Sequence, residues 1–346
     1  MKLTILFGGA SFEHEISIVS AITIKEKLQE HFDLSFVFCD TDHTFYHIPA
    51  KMMQAKSFSS GAYKKQPQLV VARGRFEHKK MFKKIEVEGT VLNLIHGADG
   101  EDGTIASLLD FYDFKYIGPR TDACVFSYDK RYTKWLCAAK GIKYVEYETL
   151  YANEQKDIPF DFPVIVKPAR LGSSIGVSVV KESDELDYAL DVAFEFDNVV
   201  IVEPFIEGVK EYNLAGYFAN GKLHYSIVEE PQKQEFLDFE KKYMDFARSE
   251  AVSKASLDET LTNKLKENFK NVYLDMFEGA LIRCDFFVID NEVYLNEINP
   301  IPGSMANYLF DDFPQAIEQL ASSLPHRRRA KVNYEYIHNI SSAKGK

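Results

Sequence analysis

Cysteine is scarce in these 346 residues: Cys39, Cys124, Cys137 and Cys284 stand far apart, with no C-x-x-C pair among them. That spacing argues against a cysteine zinc site and against a disulfide framework, and it fits a reducing compartment. Long hydrophobic runs are missing too. The first apolar stretch is Leu3 to Phe7, cut off by Gly8-Gly9. It is too short for the apolar region of a secretion signal, and no later run is long enough to span a bilayer. A cytoplasmic protein without a membrane partner is expected. Positive charge is in deficit as well: 41 Lys and Arg against 52 Asp and Glu give a formal net charge of −11. Non-specific nucleic-acid binding needs basic surface, so no nucleic-acid partner is expected, although a local basic pocket remains open. There is no internal repeat.

What is there reads as an ordinary globular chain, 46% apolar and 27% charged. Its length calls for two or three domains. The first forty residues form a β–α–β pattern: "LTILF" (3–7), the Gly8-Gly9 turn, a helix over 14–30 and "LSFVF" (34–38). Ile18, Ala21, Ile22, Lys25 and Leu28 roughly follow helical spacing, so the helix lays one face on a sheet, and a parallel sheet with crossover helices is implied. Residues 40–90 are irregular, with several β-prone pieces. "TVLNLIHG" (90–97) reads as a strand running into the polar turn 98–104, and a helix follows with Thr104 as a candidate cap. One helix is expected over 121–140, ended by Gly141. Strands surround a helix at 183–196, and further strands are expected at 212–218, 222–228, 281–289 and 292–298, with a helix at 258–277. The basic tail around Arg327, Arg328 and Arg329 reads as a solvated helix end.

Four places carry chemistry. In "VIVKPARLGSSIGVSVV" (164–180) a strand ends on Lys167, and a turn of Gly172, Ser173, Ser174 and Gly176 leads into a second strand. A Walker A loop has its lysine after the glycines and opens a helix; this is instead a hairpin-like flap. Backbone N–H groups and serine hydroxyls in such a turn can bind phosphate, with Lys167 as a point charge below, or the turn is an ordinary small-residue hairpin. In "RCDFFVIDNEVYLNEINPIPGS" (283–304) alternation puts Arg283 and Asp285 on one strand face, and Glu297 and Asn299 on the face of Leu295 and Val293. If Asp290-Asn291 turns a hairpin, Asp285, Glu297 and Asn299 converge as hard oxygen donors for Mg²⁺; the alternative is a solvated polar face. Glu15, after the Gly8-Gly9 turn, either serves a site or complements the helix dipole, and His96 is either a ligand-site residue or a structural histidine. Both lie at C-terminal ends of parallel strands, where open α/β sheets place ligands. Lys242 and Tyr243 sit in a polar segment that is either a charged surface loop or a lid.

Taken in order, "GGASFEHEISIVS" (8–20), "HGADGEDGT" (96–104), "PVIVKPARLGSSIGV" (163–177) and "LNEINPIPGSM" (295–305) resemble the D-alanine–D-alanine ligase family of the ATP-grasp superfamily, from about residue 3 to about 310. The resemblance implies an α/β (α+β) ATP-grasp architecture: a Rossmann-like parallel-sheet domain (1–118), then a central antiparallel subdomain (119–206) and a C-terminal one (207–346), which clamp ATP between them. It implies that Lys130, Lys167, Ser173, Ser174 and Lys242 serve the phosphates, Glu203 the adenine amino group and Glu211 the ribose. It further implies two Mg²⁺ (or Mn²⁺) ions on Asp285, Glu297 and Asn299, with Glu297 bridging. Glu15 is expected to meet the ammonium of the first D-alanine and to form a hydrogen-bonded triad with Ser173 and Tyr243. Arg283 and the Gly303 N–H are expected to stabilise the oxyanion, with His96, Tyr308 and Leu309 completing the substrate site.

The reaction implied is ATP-dependent joining of two D-alanines through a D-alanyl phosphate, for peptidoglycan precursors, by a homodimer. Four positions depart from the common pattern: Pro300-Ile301 replaces threonine-serine, Tyr308 replaces a serine, and Pro204 replaces a lysine after the adenine glutamate. Alternative readings are a D-alanine–D-lactate ligase, where the lid residue is typically phenylalanine rather than Tyr243, and a non-catalytic ATP-binding module.

Overall fold

The computed structural model describes residues 1–80, 83–154, 157–231, 254–326 and 330–344. Its first sheet has eight strands in the order β6-β5-β4-β3-β2-β1-β7-β8. Here β1 is Lys2–Gly8, β2 Asp33–Cys39, β3 Phe45–Ile48, β4 Gln68–Ala72, β5 Arg75–Lys80, β6 Lys83–Glu88, β7 Thr90–Asn93 and β8 Tyr116–Ile117. The expected parallel sheet is only half of it. Strands β2, β1, β7 and β8 run parallel, whereas β3 to β6 extend the sheet as an antiparallel meander built from the irregular 40–90 stretch. The helix His14–Leu28 crosses between β1 and β2, burying Ile16, Ile18, Ala21, Ile24 and Leu28.

Two four-stranded antiparallel sheets follow. The second sheet runs β11-β10-β12-β9, with β9 Glu148–Tyr151, β10 Val164–Pro168, β11 Ser178–Val180 and β12 Val199–Pro204. The helix Leu186–Phe194 covers one face through Leu186, Ala189, Leu190 and Ala193, against Val164, Val166, Val200 and Val202. Because strand side chains alternate, Lys167 and Glu203 project from the opposite face. The third sheet runs β14-β13-β15-β16, with β13 Lys210–Ala219, β14 Lys222–Glu229, β15 Leu281–Ile289 and β16 Glu292–Asn299. It is backed by the helix Glu259–Tyr273, whose Leu265, Phe269, Val272 and Tyr273 pack on Cys284, Phe286, Val293 and Leu295. The N-terminal and C-terminal parts share a core: Ala215, Tyr217, Leu281, Met305 and Leu309 cluster with Leu3, Ile5 and Phe7.

Three local expectations need correction. The helix expected over 121–140 is two helices, Thr121–Tyr128 and Lys130–Lys140, broken where Asp129 turns extended (φ −93°, ψ 116°) and its side chain accepts the Arg131 N–H as a cap. Thr104 does not cap its helix; Gly103 does, in a left-handed conformation, and the Asp102 carboxylate accepts the Thr104 N–H. Glu297 and Asn299 do not share a face with Leu295 and Val293. The register slips between Asp285 and Phe286, since Asp285 pairs with Glu297 and Phe286 with Leu295. One extra residue, Asn296, reverses the alternation beyond it.

Candidate active site

The Asp290-Asn291 turn, with φ of 50° and 61°, closes the β15–β16 hairpin in the left-handed geometry that suits two-residue connections. With the bulge at Asn296, Arg283, Asp285, Glu297 and Asn299 then stand on one face, opposite the helix. The Arg283 guanidinium forks onto Asp285, with Nε to Oδ1 at 2.6 Å and Nη2 to Oδ2 at 2.8 Å. Asn299 Nδ2 donates to Asp285 Oδ2 at 3.0 Å. Burial disfavours the Arg283 charge, but Asp285 more than offsets this and holds the guanidinium protonated.

Hard oxygen atoms dominate this face, which is the donor chemistry Mg²⁺ requires. Across β13, Asn213 pairs with Asp285; its Nδ2 donates to Glu229, and its buried Oδ1 has no hydrogen-bond partner among the described residues. An acceptor left without a donor beside two carboxylates suits a bound cation, so this face fits the expected metal.

On the second sheet, Glu203 is 3% exposed and bridges two ammonium groups: Lys167 Nζ on Oε2 at 2.7 Å and Lys134 Nζ on Oε1 at 2.6 Å. Burial pushes the Glu203 carboxyl up, but Lys167 and Lys134 outweigh it and hold the pKa down to about 2. Lys134 was not singled out in the sequence. It lies on the helix Lys130–Lys140, 69 positions before Glu203, and no local pattern joins them.

The flap behaves as a close-approach turn. Ser173 and Ser174 are left-handed, with φ of 56° and 59°. Lys130 Nζ donates to the Leu171 carbonyl at 2.6 Å, and Lys130 N donates to Ala169 O, so the helix Lys130–Lys140 is tied to the base of the flap.

Ser173 Oγ donates to Glu13 Oε1 at 2.6 Å. The expected partner was Glu15, two residues later, but Glu15 is solvent-exposed in the first turn of its helix while Glu13 is 7% exposed at the position before it. Two glutamates in "FEHE" cannot be told apart by composition; the helix start decides, turning Glu13 inward. Gly97 and Gly172 make the room: a Cβ on either would lie 2.9 or 3.0 Å from a Glu13 carboxylate oxygen. Burial, then Glu101, raises the Glu13 pKa.

His96 lies beside Glu13, 4% exposed, with Nε2 2.9 Å from Ser20 Oγ and Nδ1 3.7 Å from Glu101 Oε1. Burial pulls its pKa down to about 4, against the pull of Glu13, so the ring is neutral near pH 7. Glu101 is pushed up to about 8, by burial first and Glu297 among the charges around it. Ser304 N also donates to Ser20 Oγ, at 3.1 Å, joining the Gly303–Leu309 turn to this pocket. In that turn Ser304, Met305 and Ala306 are all left-handed (φ 47°, 54° and 47°), a costly backbone for residues with a Cβ. Tyr308 Oη stands 3.5 Å from Arg283 Nη1, while the Leu309 side chain is 1% exposed in the core. Glu211 is half-buried on β13, one strand from Phe287. Lys242 and Tyr243 lie outside the described residues. A cavity of about 610 Å³, bordered by Ser11, Phe12, Tyr128, Arg170 and Leu171, opens beside the flap.

A buried carboxylate under a serine flap, a neutral histidine, and an ionic cluster on each of two four-stranded antiparallel sheets define an enzyme of the ATP-grasp type. Residues 2–119 match the family profile described as D-ala D-ala ligase N-terminus, and 136–320 the one described as D-ala D-ala ligase C-terminus. The chain is 67% identical over 346 residues to a D-alanine–D-alanine ligase of Sulfurimonas denitrificans, covering 100% of both chains. It is similar to a crystal structure of D-alanine–D-alanine ligase from Helicobacter pylori, at 49% identity and a TM-score of 0.84, over 95% of this chain and 100% of that one. It shares the fold of a Bacillus anthracis D-alanine–D-alanine ligase complexed with ATP, at 20% identity and a TM-score of 0.61, over 93% of this chain and 96% of that one. The chain belongs to the D-alanine–D-alanine ligase family.

Among the described residues, no helix is long and apolar enough to cross a membrane.

Proposed function

We propose that the protein joins two D-alanine molecules to D-alanyl-D-alanine, releasing ADP and phosphate, in peptidoglycan precursor synthesis. The observation that carries the reading is the 2.6 Å hydrogen bond from Ser173 on the flap to buried Glu13, 160 positions away. A phosphate-binding turn is thereby tied to a carboxylate suited to an amino-acid ammonium.

Glu13, in place of Glu15, holds the ammonium of the first D-alanine, and neutral His96 lines the same pocket. Lys130, Lys167, Ser173 and Ser174 hold the phosphates of ATP, Glu203 the adenine amino group and Glu211 the ribose, with Lys242 and Tyr243 closing the site. The D-alanine carboxylate attacks the γ-phosphorus, and ADP leaves; a carboxylate is a poor acyl donor until this activation. The amine of the second D-alanine attacks the acyl carbon, and phosphate departs. Arg283 and the Gly303 N–H stabilise the oxyanion, while Tyr308 and Leu309 border the second substrate. Asp285, Glu297 and Asn299 hold the two Mg²⁺ or Mn²⁺ ions, which neutralise charge on the transferring phosphoryl group when bound. The three-part division at 118 and 206, a homodimeric assembly and a cytoplasmic location belong to the same reading.

The experiment is ADP release from Mg·ATP with D-alanine, L-alanine or no amino acid, with the product identified by mass and chirality. One D,D-dipeptide per ADP, made only with D-alanine, is expected. Nucleotide binding without D-alanine-dependent turnover would refute the substrate and leave the fold.

A further inference from the structure

The charge around Glu203 is unbalanced. One carboxylate meets two ammonium groups, and the next residue, Pro204, brings neither a charge nor an N–H. The two lysines differ in setting. Lys167 lies near the end of the flap strand with its side chain 12% exposed, on the sheet face opposite the packed helix. Lys134 is 3% exposed, donates also to the Val145 carbonyl at 3.1 Å, and lies 5.7 and 5.3 Å from the ring centres of Tyr144 and Tyr147. It is therefore enclosed by partners on several sides, whereas Lys167, next to the flap, is the more accessible of the two.

We infer that Lys134 is a positioning residue for the nucleotide: it is the counter-ion that stays on Glu203 when Lys167 turns to phosphate. This rests on the reading of Glu203 as the adenine contact. A buried carboxylate deserted by its one cation would take up a proton or pull the cation back. With Lys134 on Oε1, the carboxylate remains ionised, and its other lone pairs stay available to the purine 6-amino group. Lys167 can then act as a net positive charge. Base recognition and phosphate recognition, which would compete for one lysine, are thereby separated.

The test is steady-state ligation with Mg·ATP and with Mg·ITP, in which a 6-oxo group replaces the 6-amino group. The wild type, Lys134→Met, Lys134→Gln, Lys134→Arg, Glu203→Gln and the Met/Gln double variant are compared. Lys134→Met and Lys134→Gln should raise KM for ATP about tenfold or more, the size of losing a charge-assisted hydrogen bond. The loss should fall on KM more than on kcat, and the ATP-to-ITP ratio of kcat/KM should drop by a similar factor. Lys134→Arg should keep most of the ratio, and the double variant should be no less selective than Glu203→Gln alone. If both neutral Lys134 variants lose activity on ATP and ITP equally, Lys134 is only structural and the inference falls. If Glu203→Gln itself leaves the ratio unchanged, Glu203 does not read the base, and the inference falls with that assignment. Should Lys134→Met not fold, Lys134→Gln, which keeps a hydrogen-bonding end on a similar stem, carries the decision.

Discussion

The two antiparallel sheets bury charge of opposite surplus. On β10 and β12, two cations, Lys134 and Lys167, share one carboxylate, Glu203. On β15 and β16, one cation among the described residues, Arg283, serves a face with two carboxylates, Asp285 and Glu297, and the Oδ1 of Asn213 has no donor among the described residues. Neither arrangement is the balanced pair that burial alone would favour, since an uncompensated buried charge is costly. The first wall is short of an anion and the second of a cation, the complement that a metal–nucleotide complex would supply under the proposed function. On that reading stability at each wall would be given up in the ligand-free protein and recovered on binding, so the walls differ in composition though both are four-stranded and helix-backed.

The largest effect expected tests the cation-poor wall. Glu297→Ala should reduce D-alanine-dependent ADP release at least about 10²-fold, because no other carboxylate faces Asp285 across β16; an unchanged rate in a coupled assay would remove the metal assignment. Next comes the pocket that adjoins both walls. Glu13→Gln should lower kcat/KM for D-alanine by about 10- to 100-fold, the range for losing a hydrogen bond to a charged group. Glu15→Gln should change it less than twofold, roughly the noise of a surface substitution. The reverse ranking would restore the expectation from the sequence.

A smaller effect concerns stability. His96 has a folded pKa of about 4 against an ordinary value of 6.5, so the unfolded chain binds its proton first as pH falls. Its contribution is complete above pH 6.5 and is lost as pH drops toward 4. Between pH 7 and pH 5 this amounts to about 2 kcal/mol. Urea unfolding at the two pH values should lose that increment in His96→Gln relative to the wild type. The smallest effect sharpens the contrast between walls: Tyr308→Phe removes only the hydroxyl 3.5 Å from Arg283. At that distance it should move stability by less than about 1 kcal/mol, read as melting temperature, whereas Arg283→Met, which strips Asp285 of its fork, should cost several times more.

Much of the fold was legible because it rests on local signals. The β1–helix–β2 unit, the Gly141 stop and the Asp290-Asn291 hairpin follow from periodicity and turn chemistry. What could not be read depends on single residues whose effect is long-range. Asn296 inserts one residue and exchanges the faces of everything beyond it in β16, which no alternation count within the strand shows. Asp129 looks like one more polar helix residue until its side chain caps the second helix. Glu13 and Glu15 differ by less than one helical turn, yet one is buried against the flap and the other faces water. Lys134 belongs to the site only through packing of its helix on the second sheet.

The bond between Ser173 and Glu13 has one more consequence, in the language of linkage. Under the proposed function, a flap that would hold phosphate and a carboxylate that would hold an ammonium are joined by this 2.6 Å hydrogen bond. The free energy of occupying either place would then depend on the other. By thermodynamic reciprocity, the factor by which nucleotide tightens the first amino acid must equal the factor by which that amino acid tightens nucleotide. Ser173→Ala should bring both factors toward one together, so two sites that look separate in the chain are one equilibrium.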